Sequence, residues 1–239
     1  MEYRGINSEA PLYKYIPWKY LKSMLSTKQV LFCKVSTWES SDEFENMFRR
    51  LRLYTKDYYV SVHSITELLY GQSWSSKGET KEMWEKHSDI TRDGEFSVLV
   101  RTTAERIANM VEESILVGQN HIKISGAIIG KVSYFTEEQI DNWFLGLGDI
   151  PLEKVNSLHI EYTFKKKDCY SFENEIRCLV RDIDDEHKEM LSFGIEPLSF
   201  FDSFVIDYRL DKQTRTQIEK QIESFGIETN KVHSSIFLC

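Results

Sequence analysis

The sequence predicts an α+β fold, with a mixed or split β-sheet and flanking helices. Three observations carry this. FSVLVRT (96–102) alternates cleanly between apolar and polar residues, as a half-buried strand does. KQTRTQIEKQIESFG (212–226) is a polar helix with an apolar stripe and a glycine stop. Strand-like and helix-like segments mix without regular βαβ alternation. No G-x-G-x-x-G follows a strand and no G-x-x-x-x-G-K-[ST] occurs, so a doubly wound nucleotide fold lacks its fingerprint. The 239 residues suit a single domain, 1–239.

The elements follow in order. PLYKYI (11–16) reads as a strand, and Pro17 suits the first turn of the helix WKYLKSMLSTK. There Tyr20, Leu21, Met24 and Leu25 share one face. QVLFCKV is a strand and STWESSDEFEN a polar turn. FRRLRLYTKDYYVSVHSITELLY (48–70) reads mainly as helix. SWSSKGET begins as a short strand or turn and ends on Thr80, an N-cap for KEMWEKHSD. TTAERIANMVEESILVG is a helix closed by Gly118. HIKISGAIIGKVSYF supplies one or two strands. TEEQIDNWFLGLG and PLEKVNSLHIEYTF are helical, the second ending as strand. FENEIRCLVRD (172–182) is a strand in a hairpin with the segment around FKKKD. MLSFGIEPL, SFVIDYR and the terminal VHSSIFL are further strands.

Composition narrows the function. Hydrophobic residues at 41% and aromatics at 13% are enough for a substantial core. No apolar run reaches membrane-span length, so no membrane partner is expected. MEYRGINSEAPLYKY lacks a basic-then-apolar signal pattern. Cys33, Cys169, Cys178 and Cys239 form no C-x-x-C pair and read as cytosolic thiols, so a cytoplasmic location is expected. No histidine pair has H-x-x-x-H spacing, and Asp184-Asp185-Glu186-His187 lacks a calcium-loop pattern, so no metal site is assigned. No G-x-S-x-G elbow or protease cysteine signature is present.

A net charge of −8 argues against a generally basic, nucleic-acid-binding surface. Two local exceptions stand out. Arg49, Arg50, Arg52 and Lys56 interleave with Phe48, Tyr54, Tyr58 and Tyr59, and Lys165, Lys166 and Lys167 form a second knot. Cations mixed with aromatics can grip a single strand through phosphates and stacked bases. The competing reading is a solvated helix face and a charged loop.

The most informative run is Glu173-Asn174-Glu175-Ile176-Arg177. In a strand, side chains two apart share a face, so both carboxylates and Arg177 point one way. Like charges that close need a partner: an internal cation, a metal or a ligand. Further upstream, Tyr13 and Tyr15 flank Lys14, and Ser73-Trp74-Ser75-Ser76 precedes Met83-Trp84. Tyrosines can stack on a planar ligand, and strand-end hydroxyls can hold ribose or phosphate oxygens. A plain core role for these aromatics competes with that reading.

These pieces, from LYKYIPWKYLKSMLSTKQVLF through SWSSKGETKEMWEKHS and FENEIR to FVIDYRLDKQTRTQIEKQIESFGI, resemble the bacterial family catalogued as domain of unknown function 2971. The chain departs from that family's Asn-Asp-Pro-Phe-Glu stretch, with Glu39 to Glu45 lacking the proline. The order also resembles a divergent ADP-ribosyltransferase. That resemblance implies an ADP-ribosyltransferase-like fold with NAD as substrate and Glu175 as the catalytic acid. It puts Glu173 on the acceptor side, and Tyr13, Tyr15, Ser75, Trp84 and Arg177 around NAD. It further implies a toxin or antiphage-defence effector that modifies RNA or protein, with a possible antitoxin partner.

The chemistry is coherent. Cleaving the nicotinamide–ribose bond builds positive charge on the ribose, as in glycoside cleavage. A fixed carboxylate beside that charge is worth about a hundredfold to a thousandfold in rate. Glu175→Gln is nearly isosteric and is expected to fold normally. Two alternatives remain open on the residues alone. In one, Asp42, Glu45, Glu173 and Glu175 gather around Mg²⁺ as a metal-dependent nuclease. In the other, the carboxylates only pair with Arg177 and another base in a non-catalytic binding or regulatory module.

Overall fold

β-branched and aromatic residues supply much of the buried surface, and such side chains pack well on a pleated sheet. The structure, a computed structural model, describes residues 1–40, 52–54, 59–61, 67–92, 94–116, 124–147, 150–183 and 188–238. β1 (Glu2–Arg4), β2 (Pro11–Pro17), α1 (Trp18–Thr27) and β3 (Gln29–Lys34) open the chain. β4 (Arg52–Tyr54), β5 (Tyr59–Ser61), β6 (Leu69–Ser75), α2 (Lys81–His87), β7 (Ser97–Thr103) and α3 (Ala104–Leu116) follow. Next come β8 (Ile124–Lys131), β9 (Ser133–Phe135), α4 (Glu137–Gly146), α5 (Val155–Thr163), β10 (Lys165–Lys167) and β11 (Glu175–Asp182). β12 (Met190–Gly194), α6 (Pro197–Phe200), β13 (Ser203–Ile206), α7 (Lys212–Ser224) and β14 (Val232–His233) complete it. Among the described residues, no helix is long and apolar enough to cross a membrane.

The chain divides into two compact units, each assembled from separate stretches. The first holds Met1–Ile6, Leu31–Gln72 and Gly118–Leu191. Its strands run in the order β1-β8-β11-β6, with β3 on β6. The arrangement is mixed: β1 is parallel to β8, and β11 is antiparallel to it with Cys178 opposite Ile129. Val35, Leu69, Ile128, Phe164 and Leu179 form its core, with Trp38 and Ile160 against it. Gly71 is required here, because a Cβ would lie 2.7 Å from Leu179 Cδ2 and 2.9 Å from the Cys178 carbonyl.

The second unit holds Asn7–Val30, Ser73–Val117 and Ser192–Cys239. The end of β6 pairs antiparallel with β2, β2 with β7, and β7 with β13; β14 then runs parallel to β13. Leu21 and Leu25 of α1, Ile107 and Val111 of α3, and Ile218 and Ile222 of α7 are buried. The members of each pair are four residues apart, as one apolar helical face requires. Thr80 caps α2 as expected, its hydroxyl accepting from Met83 N–H at 3.1 Å. Gly226 takes a left-handed φ of 85° after α7, the conformation that ends helices cheaply in glycine.

Five expectations are corrected. Within 48–70 the described residues are strand and turn, with no helix: β4 pairs antiparallel with β5, 67–68 turn, and Leu69 opens β6. Pro17 ends β2, and helix starts only at Trp18. The PLEKVNSLHIEYTF helix ends at Thr163, and strand resumes only at Lys165. β11 forms no hairpin with the lysine segment, since β10 pairs parallel with β9. A six-residue 3₁₀ turn, Asp168–Glu173, and Asn174 at φ 46° separate β10 from β11 and turn the chain toward β8. VHSSIFL is strand only over Val232–His233. Gly118, Cys239, Asp42, Glu45 and Asp184 to His187 lie outside the described residues.

Candidate functional site

In the first unit, the carboxylate run does not lie wholly on a strand. Glu173 ends the 3₁₀ turn, Asn174 takes a left-handed conformation, and β11 starts at Glu175. Strict period-two alternation therefore does not join the two glutamates. A cation does. Lys166 Nζ stands 2.7 Å from Glu173 Oε2 and 3.2 Å from Glu175 Oε2.

Arg177 closes the cluster. Its Nε donates to Glu175 Oε1 at 2.8 Å and its Nη2 to Glu175 Oε2 at 3.1 Å, a two-pronged pair. Nη1 donates to the Thr163 carbonyl at 2.6 Å, and the guanidinium lies 5.0 Å from the Trp38 ring centroid. The side chains of Glu175 and Arg177 are 4% and 1% exposed. Arg177, which the resemblance places around NAD, here donates to Glu175 and to the Thr163 carbonyl inside the first unit. Tyr134 Oη accepts from the Glu175 N–H at 2.8 Å, and burial pushes its phenol up to about 12.

Sequence reasoning missed Lys166 and Tyr134. It grouped Lys166 with its neighbours as a basic knot for nucleic acid, and that reading is corrected. Lys165 meets Glu161 at 3.2 Å, and Lys167 meets Glu137 at 2.8 Å. A signal was present: in a three-residue strand the middle side chain points opposite to its neighbours. Lys166 is accordingly buried between two half-buried lysines. Arg49 and Arg50 lie outside the described residues, and Arg52 begins β4.

The aromatic and hydroxyl candidates belong to the second unit, where β2, β6 and α2 bring them together. Tyr13 sits opposite Ser75 in the antiparallel register. A Cβ at Gly78 would be 3.5 Å from the Tyr13 ring. Tyr15 Oη accepts from the Thr80 N–H at 3.1 Å. Its ring meets Trp84 edge-on at 4.7 Å and stacks on His87 at 6.1 Å. Burial is the main reason its phenol is pushed up to about 12.

Trp84 is fully buried and donates from Nε1 to Glu79 Oε1 at 2.8 Å. Tyr15 and Ser75 are buried as well, and the Ser75 hydroxyl accepts from Lys77 N–H at 3.1 Å. Tyr13 remains half-buried. The expected wall for a planar ring is therefore a packed aromatic pair, with Tyr13 as its accessible neighbour. Among the described residues, no group of three or more His, Cys, Asp or Glu side chains is arranged to hold a metal ion.

No family model matches the chain, domain of unknown function 2971 included, and no curated protein matches it in sequence. Among solved structures the chain is similar to Thermus sp. 2.9 DarT in complex with ADP-ribosylated ssDNA. That likeness has 9% identity and a TM-score of 0.39, and covers 98% of this chain and 100% of that one. The complex of the same protein with NAD+ is similar at 8% identity and a TM-score of 0.39, covering 96% of each chain. Likeness at that level assigns no site, substrate or acceptor to this chain.

Proposed function

We propose that this chain is an ADP-ribosyltransferase-like effector that consumes NAD and modifies a macromolecular acceptor, RNA or protein, within the cytoplasm. A toxin or antiphage-defence role, with a protein antitoxin, belongs to the same reading. What supports it is the convergence of Tyr13, Tyr15, Ser75 and Trp84 from β2, β6 and α2. Within that set the half-buried Tyr13 is the face on which a planar ring can stack, while Tyr15 and Trp84 pack on each other as a buried pair.

In the reaction the C1′–N bond of NAD breaks and nicotinamide leaves with the electron pair. An acceptor oxygen or nitrogen bonds to C1′ and gives up its proton, with Glu173 as the base. Glu175 balances the positive charge that develops on the ribose. For this, one of its oxygens has to face the ribose. Oε2 takes the two longest contacts of the cluster, 3.2 Å from Lys166 and 3.1 Å from Arg177 Nη2, and both have to give way for it to do so.

A second reading has its own support. Glu175 and Arg177 form a buried, two-pronged pair, which is the geometry of a purely structural ion pair in a binding or regulatory module. The two readings part in one experiment. NAD should raise the melting temperature of the wild type and fail to raise that of a folded Tyr13→Ala variant. A wild type indifferent to NAD at millimolar concentration favours the binding module.

A further inference from the structure

We propose that the second unit carries a binding site for a phosphorylated, hydroxyl-bearing small molecule, a sugar phosphate or nucleotide, in the pocket between α7 and the segment after β14. The pocket has a volume of about 230 Å³. Lys212, Arg215, Thr216 and Glu219 line it from the helix, His233 and Ser234 from the opposite wall, and Tyr208 and Leu238 add apolar surface.

The topology favours a ligand here. β13, α7 and β14 form a strand–helix–strand crossover with the two strands parallel. Crevices outside the carboxyl ends of parallel strands are where such units bind ligands. Tyr208 and Ser234 come just after the ends of β13 and β14, so the pocket occupies that position. Asp211 already caps α7, accepting from Thr214 N–H at 2.9 Å, so a ligand meets side chains here rather than open helix amides.

The lining is ordered along one helical stripe. Lys212, Arg215 and Thr216, and Glu219 fall at i, i+3/i+4 and i+7, a span of about 10 Å. Cations stand at one end and a carboxylate at the other. Among the described residues, neither Lys212 nor Arg215 is paired with a carboxylate. Arg215 Nη1 donates to the carbonyls of Leu210 and of Tyr208, the latter at 3.2 Å, which fixes the guanidinium at the pocket wall. A phosphate suits the Lys212–Arg215 end, and a hydroxyl can donate to Glu219. Tyr208 offers a face for a sugar or base.

The opposite wall is anchored. Ser235 Oγ and Ile236 N–H both donate to the Glu79 carboxylate, the second at 3.0 Å. Tyr208 and Phe237 pack with ring centroids 5.5 Å apart. The pocket is therefore largely pre-formed, which spares a ligand the cost of ordering it.

The test is calorimetric titration of the full chain with ribose 5-phosphate, inorganic phosphate and unphosphorylated ribose. Ribose 5-phosphate should bind most tightly, phosphate more weakly, and ribose not at all. Lys212→Gln should weaken ribose 5-phosphate binding about tenfold, the loss expected for one charge-assisted contact. Lys220→Gln removes the same charge from the same helix outside the pocket and should leave binding unchanged. No binding of ribose 5-phosphate, equal binding of ribose, or equal weakening by Lys220→Gln overturns the proposal.

Discussion

Lys166 and Glu175 face each other inside the first unit, Nζ to Oε2 at 3.2 Å, and the same ammonium reaches Glu173 at 2.7 Å. One buried cation thus holds two carboxylates that the backbone, through the left-handed Asn174, would otherwise send different ways. Removing it should be costly. Lys166→Met is expected to destabilise the protein by about 3 kcal/mol, because it leaves buried carboxylates short of a counter-charge. Lys166→Arg should recover much of that loss. Urea denaturation of both variants checks this, and a silent Lys166→Met contradicts it.

The same geometry revises the expectation that Glu175→Gln folds without cost. Glu175 balances Arg177 and Lys166, both buried. Its neutralisation leaves two cations facing one fewer carboxylate. A destabilisation of about 3 kcal/mol is expected, measured by the shift in urea midpoint at unchanged slope. Activity of this variant is therefore meaningful only at temperatures where circular dichroism shows it folded.

Gly71 and Gly126 make a matched pair. A Cβ at Gly71 collides with Leu179 and the Cys178 carbonyl, whereas at Gly126 nothing lies within 4 Å. Gly71→Ala should cost about 1–3 kcal/mol through forced backbone shifts. Gly126→Ala should be neutral or slightly stabilising. Thermal denaturation of the two variants side by side checks the packing of β6 on β11.

His159 should give the protein an acid-sensitive stability. Burial, helped by the Arg181 charge, depresses its pKa from 6.5 to about 4. Between these values the unfolded chain binds the proton and the folded one does not, so stability rises with pH. It is full above about 6.5 and declines as pH falls toward 4. From pH 7 to pH 5 the loss from this group is about 2 kcal/mol. His159→Gln should flatten the dependence of the urea midpoint over that range. An unchanged slope would contradict the assignment.

How much of this was legible beforehand follows from what each element depends on. The Thr80 cap and the α7 stripe are local, so residue pattern alone revealed them; β7 was found as a strand, although Ser97 to Val100 are buried on both faces where alternation predicts a half-buried one. Residues 52–54, 59–61 and 69–70 were misread because aromatic and β-branched residues also satisfy helical spacing, and strand pairing decided the matter. At the site, the aromatic and hydroxyl set converged because β2 and β6 are neighbours in register. The Lys166 bridge was hidden, since it depends on a parallel β9–β10 pairing and on the 3₁₀ turn before β11. Neither leaves a mark in the spacing of Glu173 and Glu175.

The most direct test of the central claim is nicotinamide release from NAD, with labelled ADP-ribose followed into RNA and protein of a cell extract. Wild type is compared with folded Glu175→Gln in the presence of a chelator. The expected result is release and labelling by the wild type that survive the chelator and fall by about a hundredfold or more in the variant. Absence of release with any extract, or a folded variant as active as the wild type, would contradict the account.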